Sequence, residues 1–202
     1  MRYKPLSSNF YKKNRVNFAD SMLSKSIAVF NSNDIYPISA DSTYFPFQQH
    51  RDIFYLTGID QEETILLLSP QQKEIKNREI LFVKKTDKNI QIWEGQKLSK
   101  EDARLISGIE KILWLNEFEP TLKEITSQNN GIYLNKNEHY RNNSETQTRE
   151  DRFISKFKKE YPTHSVYRSN PILQHLRSIK DPLEINQIKK ASDITEMDLE
   201  ES

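Results

Sequence analysis

His50, His139, His164 and His175 are the residues of this chain most suited to holding a metal ion or moving a proton, and their spacing argues against both. A metal-hydrolysis centre draws several ligands from one helical turn or along one strand. Here the histidines are far apart and none stands in an H-E-x-x-H spacing, so each reads as an ordinary surface or half-buried residue. Glu138-His139 lies in an Asn-rich stretch that would hold a ligand set poorly. Glu62-Glu63 are paired carboxylates, yet adjacent residues in or near a strand point to opposite faces and would not share a substrate. There is no cysteine, which removes thiolate nucleophiles, disulfides and thiolate zinc sites. There is no G-x-S-x-G turn, and Gly58, Gly95, Gly108 and Gly131 are too scattered to cradle a phosphate. The basic run Lys156-Phe157-Lys158-Lys159 has the spacing of a solvated helix face backed by core. No complete active site emerges, and the expectation is that neither catalytic residues nor metal ligands lie in this chain.

The elements that would position any site can be read from periodicity. Ser8 to Leu23 carries Tyr11, Phe18 and Met22 on one helical face. Ile27 to Phe30 has the look of a buried strand, followed by a loop through Pro37 to about Tyr44. Thr64 to Leu68 and Glu79 to Val83 suit a hairpin. Ser99 opens a short helix that ends near Gly108, and Lys111 to Leu115 reads as a strand. Asn116 to Gln128 reads as a helix capped by Asn116, and Gly131 to Leu134 as another strand. Lys136 to Glu145 is a polar loop, Thr146 to Tyr161 an amphipathic helix, and His164 to Tyr167 a last short strand before a helix opened by Ser169-Asn170-Pro171. Strands and helices alternate, which predicts an α/β layer with helices on the sheet faces and one hairpin making the sheet mixed.

Composition narrows the function classes. The 202 residues suit one domain with an appendage, and 35% apolar against 29% charged residues reads as globular. A net charge of +1 supplies no field to gather nucleic acid or an anionic membrane. No apolar run approaches the roughly 18 residues of a membrane span, and the N-terminus does not resemble a signal peptide. The partner expectation is therefore no nucleic acid and no membrane, and the default setting is cytoplasmic.

The segment Arg177-Ser178-Ile179-Lys180-Asp181-Pro182-Leu183-Glu184-Ile185 starts a helix well, with Asp181 as N-cap, Pro182 at the first position and Glu184 in capping-box spacing. Ile185, Ile188, Ala191 and Ile194 recur beyond it, but no Gly or Asn closes the helix and Asp198, Glu200 and Glu201 oppose its dipole. This reads as the front part of a longer protein, with residues 1–178 one domain and 179–202 a linker and first helix. Residues after about Glu184 are expected to pack poorly.

Three segments carry a family resemblance. Residues 41–58, from Asp41-Ser42-Thr43-Tyr44 through Phe54-Tyr55-Leu56-Thr57-Gly58, are similar to the D-x-x-Y-x-(F/Y)-R-Q-x-x-x-F-x-Y-(L/F)-T-G signature of the N-terminal domain of Xaa-Pro aminopeptidases. Ile92-Trp93-Glu94-Gly95-Gln96-Lys97-Leu98 resembles the I-W-x-G-x-x-L segment of that family. Arg177 to Ile185 resembles its R-x-x-K-(S/D)-P-x-E-I sequence. Two departures stand out: the usual arginine of F-R-Q is Gln48, and the E-P that often follows T-G is Glu62-Glu63.

The resemblance implies a three-layer α/β/α creatinase/prolidase N-terminal domain, with a ribonuclease H-like motif and a central mixed sheet. It implies a pita-bread metallopeptidase domain elsewhere, with a dinuclear manganese or similar divalent centre held by two Asp, one His and two Glu, and hydrolysis of the bond preceding proline. The implied partners are a proline-containing peptide and further copies of the chain in a dimer or tetramer, with this domain walling the active-site entrance. Asp41 and Trp93 are the candidates to reach such a site, Asp41 pairing with a cationic substrate end and Trp93 stacking on a proline ring or extended peptide. The competing readings are that Asp41 caps a turn and that Trp93 is core or subunit interface. Phe54, Tyr55 and Leu56 read as core and Gly58 as a backbone requirement. Two alternatives share the architecture: a peptide- or protein-binding module ahead of an inactive pita-bread domain, and a prolidase or creatinase.

Overall fold

The computed structural model describes residues 4–39, 43–85, 92, 95–139 and 145–200. Six strands form one mixed sheet: β1 (Ser26–Asn31), β2 (Ile65–Leu68), β3 (Glu79–Val83), β4 (Lys111–Trp114), β5 (Gly131–Leu134) and β6 (Ser165–Arg168). Their order across the sheet is β4-β3-β2-β1-β5-β6. β1 to β3 form an antiparallel meander, with Ala28 opposite Leu68 and Ile65 opposite Phe82, while β4, β5 and β6 join in parallel. β1 is buried along its whole length, as expected of a central strand covered on both faces.

Alternation along the strands separates two cores. Ala28, Phe30, Leu66, Leu68, Leu81 and Val83 face α1 (Ser8–Asp20), α2 (Arg51–Thr57), α3 (Lys100–Ser107) and α6 (Asn170–Ser178), through Phe18, Ile53, Leu56, Ala103 and Leu173. Ile27, Val29, Ile65, Leu67, Ile80 and Phe82 face α4 (Phe118–Thr126) and α5 (Arg149–Glu160), through Phe118, Leu122, Ile125 and Phe157. The molecule is a three-layer α/β/α sandwich with a mixed central sheet.

Helix α2 is absent from the periodicity reading. It spans only seven residues, and its N-cap is His50, whose Nδ1 accepts the Asp52 N–H at 3.2 Å in place of a Ser, Thr, Asp or Asn oxygen. Its stop signal is Gly58 at φ 71°, where a Cβ would lie 2.4 Å from the Tyr11 ring, so both the left-handed turn and the close approach require glycine. Asn116 is not a cap. Leu115–Glu117 forms a 3-10 turn, α4 begins at Phe118, and Glu117 accepts the Trp114 N–H at 2.8 Å. Helix α1 ends at Asp20, short of Leu23, because the Ser21 N–H turns back to Phe18 O.

The final helix, α7 (Pro182–Glu200), is built at its start as its sequence demands: the Leu183 N–H reaches Asp181 Oδ1 and the Asp181 N–H reaches Glu184. From Ile185 to Met197 every residue is exposed, so the poor packing expected after Glu184 is what the structure has. Among the described residues no helix is long and apolar enough to cross a membrane.

Candidate functional site

The parallel strands β1 and β5 lie side by side, yet the chain leaving them goes to opposite layers. After β1 it reaches α2 on one face, and after β5 it reaches α5 on the other. Such divergence opens a crevice beyond the carboxyl ends of the strands, where open α/β sheets place their ligands. A cavity of about 950 Å³ lies there, lined from β1 by Asn33, from the start of α2 by Gln49, His50 and Asp52, and from beyond β5 by Lys136 to His139. Thr148 and Glu150 of α5, Asn170 and Arg177 of α6, and Lys180 complete the wall. The seam itself is closed by Asn135, whose amide exchanges two hydrogen bonds with the Asn31 backbone at 3.0 and 3.1 Å.

The crevice is densely charged. His50 Nδ1 stands 3.7 Å from Asp52 Oδ2, and its Nε2 stands 3.9 Å from Glu150 Oε1. Arg177 Nη1 reaches Asp52 Oδ1 at 3.4 Å, and its guanidinium lies over the Tyr55 ring. Burial pushes the Asp52 carboxyl above the usual range, outweighing the pull of His50, Arg177 and Arg51, and Glu138 adds to the push. Glu138 goes the other way: hydrogen bonds from Arg168, seconded by Asn170, hold its carboxyl low. Asp151 is held low chiefly by Lys136, with Thr148 adding capping bonds. Burial lowers the Arg149 guanidinium, which donates to Ser32 Oγ at 3.0 Å. Opposite charges placed this way suit the recognition of a polar, partly charged chain more than the burial of an apolar one.

Asp41 and Trp93 both lie outside the described residues. On either side of Asp41 the chain forms a small antiparallel arm: Pro37 bridges Tyr44, the Ile38 N–H donates to Thr43 O at 2.8 Å, and Tyr36, Ile38, Tyr44 and Phe45 are exposed. Near Trp93, Ile92 is exposed and Gly95 adopts φ 77°. Leu56 is fully buried and Tyr55 packs against the same core, as expected, whereas Phe54 is half-buried and belongs to neither core. The histidines are less scattered than their numbering suggests, since His50 and His139 line one crevice. Among the described residues, no group of three or more His, Asp or Glu could hold a metal ion. The residues that the pattern search missed are Asp52, Glu150 and Arg168, and Glu138, set aside for its Asn-rich surroundings, also lines the crevice. Arg177, Asp52 and His50 lie within the resemblance segments; Glu138 and Arg168 carry no local signal because their pairing spans 30 residues.

A three-layer sandwich with a mixed central sheet and a charged crevice at the carboxyl edge of its central strands defines an α/β domain. The family described as aminopeptidase P, N-terminal domain, matches residues 11–133. Human Xaa-Pro aminopeptidase 3 is 26% identical over 167 residues, covering 81% of this chain and 32% of its own length. The Escherichia coli Xaa-Pro aminopeptidase is 23% identical over 193 residues, covering 95% and 43%. Among solved structures, a Bacillus anthracis protein described as an aminopeptidase P superposes with a TM-score of 0.82 at 29% identity, over 92% of this chain and 43% of that one. The chain belongs to the aminopeptidase P N-terminal domain family, and it spans less than half the length of these relatives.

Proposed function

We propose that this chain acts as the non-catalytic N-terminal domain of an Xaa-Pro aminopeptidase, a metallopeptidase that releases an N-terminal residue preceding proline. The bond to proline is a tertiary amide without an N–H, so recognition there loses one backbone donor and gains a rigid ring to pack against. This domain supplies walls for that recognition and contacts for a dimer or tetramer, in a cytoplasmic setting. The observation that carries the reading is the match of the whole three-layer fold at a TM-score of 0.82, together with a crevice of mixed charge at its ligand-facing edge. The exposed aromatic arm around Asp41 supports a role in contacts between copies.

The dinuclear manganese centre of this reading does not fit the described residues, which contain no ligand group for it, and no step is derived through it. In the intact peptidase, Asp41→Ala and Trp93→Ala should each lower kcat/KM for Xaa-Pro peptides without lowering Tm. Unchanged kinetics in both variants would remove the substrate-contact role. The isolated chain supplied with manganese should release no N-terminal residue from an Xaa-Pro-Pro peptide, and measurable release would overturn its non-catalytic assignment.

A further inference from the structure

Glu62-Glu63 replaces the Glu-Pro expected after the T-G of the first resemblance segment, and the structure gives both carboxylates partners. Glu62 pairs with Lys97, each side chain only 11% exposed. Glu63 pairs with Lys84 at 2.7 Å. Between them the Gln61 side chain accepts the Leu98 N–H at 2.7 Å. Lys84 follows β3 directly and Lys97 precedes α3, so three consecutive side chains grip the two roots of one connection, residues 84–99.

The gripping turn is itself braced. Glu63 adopts φ 51°, a left-handed conformation that non-glycine residues seldom take. Thr64 Oγ1 donates to Gln61 O at 2.9 Å, and its N–H reaches Ser32 Oγ at 3.1 Å. Gln49 Nε2 donates to Gln61 O at 2.8 Å and to Ile59 O at 3.2 Å, while Gln49 Oε1 accepts the His50 N–H at 2.8 Å. The hold on the connection therefore runs without a break from the wall of the crevice.

We infer that Gln61, Glu62 and Glu63 form a clamp that fixes the roots of the 84–99 connection relative to the crevice, with Glu62 as a positioning residue. A nearly buried ion pair contributes little net stability but specifies one arrangement of the segments it joins. The proposal leans on the peptidase reading only for the kinetic part of its test.

Amide hydrogen exchange on this chain reads the clamp directly. Glu62→Gln, and separately Gln61→Ala, should speed exchange at residues 96–98 by about tenfold while leaving β1 and β5 unchanged. The charge-swapped pair Glu62→Lys with Lys97→Glu should return it to within about twofold of the parent chain. Unchanged exchange in Glu62→Gln, or a swap no better than Glu62→Lys alone, overturns the clamp. In the intact peptidase, Glu62→Gln should raise KM for an Xaa-Pro peptide several-fold and leave kcat within about twofold, with the swap restoring KM. An unchanged KM beside faster exchange overturns the positioning role. Silent Asp41→Ala and Trp93→Ala variants would instead sink the substrate-contact reading and leave the exchange result standing.

Discussion

Asp52 shows how one side chain can be tied to two elements and still be a poor place for a charge. It stands at the start of α2, faces His50 on its own element and meets Arg177 across the crevice from α6. Desolvation nevertheless dominates, so the fold favours its protonated form. For a group whose folded pKa is raised, the stability it contributes is complete below its unfolded pKa, about 3.9 for Asp, and is lost as pH rises through the folded value. Asp52→Asn keeps the shape without the charge. It should raise the urea midpoint relative to the parent chain at neutral pH, with the gain fading as pH falls toward about 4. A lower midpoint for the variant at neutral pH would show that the ion pair with Arg177 outweighs desolvation.

At the level of elements, one buried cation organises a whole helical layer. Arg15 of α1 is fully buried and donates to Leu56 O at 2.8 Å and Ser107 O at 2.9 Å, carbonyls in the last turns of α2 and α3. Those ends carry the negative pole of each helix and have carbonyls left over from the intrahelical ladder, so a guanidinium satisfies both needs. Its Nη2 also lies 2.9 Å from Glu79 at the start of β3, an ionic contact without hydrogen-bond alignment. Arg15→Ala leaves two carbonyls and a carboxylate without this partner and should destabilise the chain by about 3 kcal/mol or more. At roughly 2–4 °C per kcal/mol, calorimetry should record a Tm lower by about 6 °C or more. Helix α7 is the opposite case. Its root is held by Lys13 to Asp181 at 2.9 Å, and from Ile185 to Met197 every residue is exposed. Removing residues 185–202 should therefore move Tm by less than about 3 °C, and a larger fall would mean that the helix packs in solution.

Over the whole molecule, what could be read in advance follows from the range of the interactions involved. All six strands were legible because central strands are short apolar runs bounded by turn residues, as in Ile27 to Phe30. The layer architecture followed from their alternation with helices. Helix α2 was not legible, because it is short and its cap is a histidine that acts through a ring nitrogen. The crevice was hidden for another reason: its wall unites Asn33, His50, Lys136, Glu150 and Arg177, which share no local period and meet only once β1 and β5 lie side by side. Glu62 and Glu63, expected to point to opposite faces, reach two different lysines.

The position of β1 also has a consequence for how the chain is made. Its partner on one side, β2, follows once the chain has passed through α2, but the partner on the other side is β5, and the Asn31–Asn135 bond that seals the seam joins residues 104 apart. A nascent chain therefore carries a strand with an apolar centre, Ile27 to Phe30, and one open edge until Leu134 has been synthesised. At roughly 5–20 residues per second this exposure lasts several seconds or more, long enough for the edge to pair with another unfinished copy. Any fragment ending before Leu134 should therefore aggregate, which light scattering on such a fragment would record, and a monodisperse fragment would show that the open edge is tolerated.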